Sequence, residues 1–282
     1  MRRTARGVRV PCLLLLTAIA ACSRSPETAR RKLASDGIAL TPAEFVRRAG
    51  TDPWPALELF LIAGMDPNIK ADVERLENVT ALMVASRAGR EEIVRRLRES
   101  GADVSAQTRQ GETALMYAAS AGRPAVVRYL LRMGADVNQA NRRGETALLL
   151  SIPAPWPQQD QERALDCVNQ LLAAGASVNS RSADDATALH AAIGRAQLAA
   201  IRLLLLRGAD PNLKGGPQNT SPLRHAIDAD AADIARALLR AGANPTEPGL
   251  WEAVQGGLRT NEAAMREALR QGGVPASSGS GS

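Results

Sequence analysis

Few residues in this 282-residue chain are of types that could do chemistry. It holds two histidines, His190 and His225, and three cysteines, Cys12, Cys22 and Cys167. A hydrolytic zinc site of the H-E-x-x-H kind needs two histidines one helical turn apart, and the chain has no such run. It also lacks a paired Cys-x-x-Cys and a G-x-S-x-G nucleophile turn. Gly215-Gly216-Pro217 has no Lys-Ser or Lys-Thr after it to hold a phosphate and its metal, so it is expected at a hairpin tip. Cys167 stands eight residues before Gly175, and Ile93, Val126, Ala200 and Ile234 stand at the same distance before Gly101, Gly134, Gly208 and Gly242. That register is apolar, which makes Cys167 a packing thiol rather than a nucleophile. No catalytic residue, metal, cofactor or small-molecule substrate is expected, and the chain is read as no enzyme.

Cys22 is a different case. Residues 1–22 carry Arg2, Arg3, Arg6 and Arg9 with no acid, and a short apolar run over 13–21 follows the basic stretch. The run is too short to span a hydrocarbon core of ~30 Å, so an export signal over residues 1–21 is favoured over a membrane helix. Ile19-Ala20-Ala21-Cys22 resembles the bacterial lipobox, and the resemblance implies a diacylglyceryl group on the Cys22 thiol with cleavage just before it. Each buried methylene of such a chain holds the protein to a bilayer by about 0.8 kcal/mol. Ser23 follows where an Asp would imply inner-membrane retention, so the resemblance favours an anchor in the outer membrane facing the periplasm. A second reading stays open: Ala18-Ile19-Ala20 is itself an A-x-A site, and cleavage there would free a soluble periplasmic protein. With Cys12 lost and Cys22 acylated, Cys167 has no partner for an internal disulfide.

The elements that must position any site repeat along the chain. Thr80-Ala81-Leu82, Thr113-Ala114-Leu115, Thr146-Ala147-Leu148, Thr187-Ala188-Leu189 and Ser221-Pro222-Leu223 follow one another at spacings of 33, 33, 41 and 34 residues. Gly101-Ala102-Asp103, Gly134-Ala135-Asp136, Gly175-Ala176-Ser177, Gly208-Ala209-Asp210 and Gly242-Ala243-Asn244 keep step with them. The Thr or Ser hydroxyl is suited to cap a first helix, and Gly89 or Gly122 to end it in a left-handed conformation. Apolar stripes such as Val127, Leu130 and Leu131 mark a second helix at helical spacing. Two interlocked signals over five copies resemble the ankyrin repeat, and Thr187-Ala188-Leu189-His190-Ala191-Ala192 matches its opening best.

The resemblance implies an all-α ankyrin-repeat solenoid of helix pairs with short β-hairpin connections. A polar linker is expected over 22–40, a degenerate capping repeat over 41–77, and five repeats over 78–246 with an insertion near 151–161. A C-terminal capping repeat over 247–273 and a flexible tail over 274–282 complete the division. His190 takes the family's own histidine place, where the imidazole hydrogen-bonds within the turn.

Composition agrees with stacked helices, since 45% of residues are apolar but only 2% are Phe, Tyr or Trp. Strands favour the aromatic and β-branched residues that are scarce here. The net charge of +6 shrinks once residues 1–22 are removed, leaving 31 basic against 29 acidic residues. Acids interleave with the arginines, so a nucleic-acid stripe is not expected.

Ankyrin proteins bind other proteins through hairpin tips and inner helices, and the resemblance implies the same here. The tips offer Gln107, Arg109, Asn141, Arg142, Arg143, Arg181 and Lys214, and Tyr117 lies at a variable place on a first helix. Trp156, between prolines in the insertion, presents a large apolar area with little entropy to lose. Pro53-Trp54-Pro55 is a similar run near the start. Exported bacterial ankyrin proteins include immunity proteins that block periplasm-acting toxic effectors such as phospholipases. Others are accessory scaffolds for a periplasmic enzyme, for example in oxidative-stress defence.

Overall fold

The computed structural model describes residues 25–152, 158–250, 253 and 262–273. Helix α1 (Pro26–Ser35) is followed by the pair α2 (Pro42–Arg48) and α3 (Trp54–Ile62), then by strands β1 (Lys70–Val73) and β2 (Leu76–Thr80). Five more pairs come next. These are α4 (Ala81–Ala88) with α5 (Glu91–Glu99), and α6 (Ala114–Ser120) with α7 (Pro124–Arg132). After them come α8 (Ala147–Leu150) with α9 (Gln158–Ala173), α10 (Ala188–Gly194) with α11 (Leu198–Leu206), and α12 (Pro222–Asp228) with α13 (Ala232–Arg240). Helix α14 (Glu262–Gln271) packs on α13.

Each first helix begins where the repeated hydroxyl stands. Thr80, Thr113, Thr146, Thr187 and Ser221 lie in extended backbone, and each side-chain oxygen accepts the N–H three residues on, at 3.1–3.4 Å. Gly89 (φ +77°) and Gly122 (φ +60°) turn the chain out of α4 and α6. The core is a continuous aliphatic seam in which Leu82, Leu115, Leu148, Leu189 and Leu223 are all buried. Ala85, Ala118, Ala192 and Ala226 lie one turn on and fully buried, and their small size lets adjacent first helices approach. Phe45 and Phe60, with ring centroids 5.6 Å apart, close the N-terminal end of the seam.

Between the pairs, β1 and β2 form an antiparallel hairpin in register Lys70 with Thr80. The later hairpins are tighter turns closed by backbone bonds such as Thr108 N–H to Glu112 O and Asn141 N–H to Glu145 O, both 3.0 Å. A second link runs between repeats as a row of asparagines. Asn68, Asn138, Asn179 and Asn212 each donate from Nδ2 to the carbonyl of the next repeat's Gly101, Gly175, Gly208 or Gly242. Each also accepts on Oδ1 the N–H two residues beyond that glycine, at 2.6–3.0 Å. Ser105 interrupts the row: its hydroxyl is too short to cross and donates to Asp103 in its own turn at 2.7 Å.

Two features add detail to the expected division of the chain. The stretch expected as a polar linker contains α1, capped by Ser25 Oγ accepting the Thr28 N–H at 3.2 Å, with Pro26 at its start. Its apolar stripe is only Ala29 and Leu33, both buried against α3, which is too narrow to stand out in the sequence. The Arg30 guanidinium donates to Ala63 O at 3.1 and 3.2 Å and so covers the carbonyl end of α3. The insertion expected near 151–161 in the third repeat, in turn, runs into the second helix of that repeat. Cys167 is the tenth residue of α9, whereas Ile93, Val126, Ala200 and Ile234 are each third in their helices. The insertion therefore lengthens α9 at its start by about two turns. No described helix is long and apolar enough to cross a membrane.

Candidate partner-binding surface

The hairpins and first helices together line one face of the stack. Counting four residues on from each capping hydroxyl gives Val84, Tyr117, Leu150, Ala191 and His225, all half-buried. Successive hairpins are tied edge to edge beside this row. Arg142 N–H donates to Gln110 O at 2.8 Å, and Ala183 N–H donates to Arg143 O at 2.7 Å. The last hairpin fits against its neighbour only because residue 215 is glycine. A Cβ there would stand 2.2 Å from Asp185 O and 3.1 Å from His190 Cε1.

Where this hairpin faces α10 and α12, a groove of about 500 Å³ opens, lined by His190, Ala191, Gly216, Pro217, His225 and Asp228. The two imidazoles stack with centroids 6.4 Å apart. His190 Nε2 lies 3.3 Å from Thr220 O, a group that can only accept, so Nε2 carries the proton and Nδ1 accepts from the Thr187 hydroxyl at 2.9 Å. Burial holds both histidines below the usual imidazole range, opposed at His190 by the bond to Thr220 and at His225 by the Asp228 charge. His190 thus joins two repeats, as well as bonding within its turn as the family resemblance implies. The described residues hold no group of three His, Cys, Asp or Glu side chains placed to bind a metal.

Of the residues named from sequence, Arg109, Arg142, Arg143 and Arg181 stand exposed on the hairpins that these backbone bonds tie together. Arg109 and Arg142 have no ion pair among the described residues, while Arg181 reaches Asp185 at 3.4 Å and Arg143 reaches Glu145 at 3.8 Å. Gln107 is exposed, and its carbonyl accepts from Lys70 Nζ at 2.6 Å. Lys214 is less available, being paired with Glu247 at 3.2 Å. The Tyr117 hydroxyl donates to Glu112 at 2.7 Å; burial and that carboxylate keep its proton on at every ordinary pH.

Asn141, expected as a contact at a tip, instead holds its own turn together. It is buried: its Oδ1 accepts the N–H groups of Arg143 and Glu145, both at 2.9 Å, and its Nδ2 donates to Glu145 at 2.9 Å. Thr108 does the same in the preceding hairpin, accepting from Gln110 and Glu112. The 33-residue offset between Thr108 and Asn141 was the signal that this side chain shapes the turn. Sequence reasoning also passed over Leu150, Ala191, Glu112 and Asp228, although the regular count from each hydroxyl could have found the first two.

Cys167 is fully buried, and burial with the Asp166 charge pushes its thiol up to about 12, which leaves it inert as a nucleophile. Trp54 packs its ring on the core, with the Arg96 guanidinium 5.7 Å from its centroid. Cys22 and Trp156 lie outside the described residues.

A family model for ankyrin repeats (3 copies) matches residues 47–152 and 160–248, which is more than half of the chain. The chain belongs to the ankyrin-repeat family. The break in the match, 153–159, falls on the insertion around the start of α9. A B-cell lymphoma 3 protein homolog from Mus musculus is 30% identical over 193 residues, covering 68% of this chain and 34% of that protein. The chain therefore spans about a third of that relative's length. Ankyrin repeats imply protein–protein binding.

Proposed function

We propose that this ankyrin protein is exported, anchored by lipid on Cys22, and holds a partner protein on the hairpin and first-helix face toward the periplasm. The observation that carries the binding surface is the exposure of Arg109, Arg142, Arg143 and Arg181 on the tied hairpins beside the half-buried column from Val84 to His225. The hydrogen bonds between hairpins pre-organise that face, so little ordering entropy remains to oppose association. The lipobox-like Ile19-Ala20-Ala21-Cys22 supports the location. An anchored, rigid binder with no chemistry of its own suits an inhibitor that neutralises a periplasm-acting toxic effector, a phospholipase being one such target.

The test is a deletion strain grown beside toxin-competent kin. The deletion strain should be killed, and an anchored wild-type copy should rescue it. A copy with Cys22→Ser should lose fatty-acid labelling and leave the membrane fraction. Survival of the deletion strain, together with reduced activity of some envelope enzyme, would replace inhibition by an accessory-scaffold role. Labelling that persists in Cys22→Ser would remove the anchor from that residue.

A further inference from the structure

The side of the stack built from the second helices carries a separate feature. Leu206, at the end of α11, is 81% exposed, while the same register holds Glu99, Arg132, Ala173 and Arg240 in the other second helices. It borders a groove of about 500 Å³ between α11 and α13 whose lining includes Arg202, Leu205, Asp233, Arg236 and Arg240. Arg202 and Leu206 lie one turn apart on α11, and Asp233, Arg236 and Arg240 form one stripe of α13. No residue lines both this groove and the one beside His225.

The charges around the groove are not balanced from within. On α5 the outward arginines are answered by their own helix, Arg95 by Glu91 at 3.3 Å and Arg96 by Glu92 at 2.6 Å. Around Leu206, Asp233 is the only acid lining the groove among the described residues, and it is taken by Arg236 at 2.9 Å. Arg202 and Arg240 have no carboxylate within ion-pair distance among the described residues, and they flank the leucine from both helices. An exposed apolar side chain set between unanswered guanidinium groups is complementary to a surface bearing carboxylates around an apolar residue. The recess also favours a ligand with projecting side chains over the flat face of a bilayer.

We propose that the groove between α11 and α13 docks an acidic amphipathic segment of a partner protein, its apolar side chain against Leu205 and Leu206 and its carboxylates on Arg202 and Arg240. This surface is distinct from the hairpin face, so the chain can join two proteins.

The experiment uses the mature chain and a fluorescent amphipathic Glu/Leu peptide, a Lys/Leu counterpart of the same pattern, and phosphatidylglycerol vesicles. The acidic peptide should bind and the basic one should not. Arg202→Glu with Arg240→Glu should weaken binding by about tenfold or more, the effect of reversing two flanking charges. Leu206→Ser should weaken it by about tenfold through lost apolar burial. All these side chains are exposed, so the melting temperature should stay where it is. Tyr117→Ala, on the hairpin face, should leave peptide affinity unchanged, which separates this inference from the proposed function. The proposal is overturned if the acidic peptide fails to bind, if the Lys/Leu peptide binds as well, or if the variants bind unchanged. Vesicle binding through Arg202 and Leu206 in place of peptide binding would overturn it too, by assigning the patch to lipid.

Discussion

Replacing Asn138 by Ser should loosen the contact between the second repeat and the third, and replacing Ser105 by Asn should tighten the contact one repeat earlier. Asn138 carries two bonds across its interface, Nδ2 to Gly175 O at 3.2 Å and Oδ1 from the Ser177 N–H at 2.8 Å. Both ends are exposed, so each bond is worth about 0.5–1.5 kcal/mol net, and serine is too short to make either. The expected loss is therefore about 1–3 kcal/mol. The turn itself survives, because the backbone N–H of residue 138 still donates to Asp136 Oδ1, as that of Ser105 does to Asp103. Ser105→Asn gives up one hydroxyl bond to Asp103 and gains two bonds to the next repeat, for a net gain of about 1 kcal/mol. For an array of this size about 1 kcal/mol shifts the melting temperature by about 2–4 °C, so Ser105→Asn should raise it by about that much and Asn138→Ser should lower it by about 2–12 °C. Urea titration provides the assay, together with hydrogen exchange at the Ser177 amide, which loses its acceptor only in Asn138→Ser. Because repeats couple to nearest neighbours, exchange near Asn68 should not change. Equal stability of Asn138→Ser and wild type, or a loss on Ser105→Asn, would refute the idea that the asparagine row joins the repeats.

Other perturbations follow from the same geometry. Leu115→Ala, at a side chain 1% exposed in the central seam, should cost about 2–5 kcal/mol in urea denaturation, with the cavity adding to the lost transfer energy. His190 and His225 both titrate below the unfolded value of about 6.5, so the unfolded chain takes up protons first. Their contribution to stability is complete above about pH 6.5 and is lost as pH falls through the folded values, and His190→Gln with His225→Gln should flatten that slope; a wild type that gains stability on acidification would contradict it. Gly215→Ala should lower the melting temperature and disturb the His190 ring resonances, because the new methyl meets Asp185 O at 2.2 Å. Unchanged histidine resonances would show that the two hairpins are not held in contact.

The sequence alone determined the repeat, its length and the ends of its helices, because those signals are local. A hydroxyl that caps a helix, a glycine that ends it and a leucine one turn from an alanine act within a few residues, and their 33-residue recurrence made them visible. It also determined the state of Cys167, since five apolar residues in one register describe a packing position without any coordinates. What only the tertiary structure decided depends on surfaces that meet across the stack. Residues 26–35 are too polar to announce a helix, yet Ala29 and Leu33 find α3 and Arg30 finds its open carbonyl. The insertion in the third repeat became two added turns of α9, and Asn141 turned inward because two backbone N–H groups converge on its carbonyl oxygen. The binding surfaces belong to this second class. Arg109, Arg142 and Arg181 lie far apart in sequence and stand on adjoining hairpins only because those hairpins tie together. Leu206 becomes conspicuous only when α13 sets Arg240 across the groove, since burial, not residue type, separates a packed leucine from a docking one.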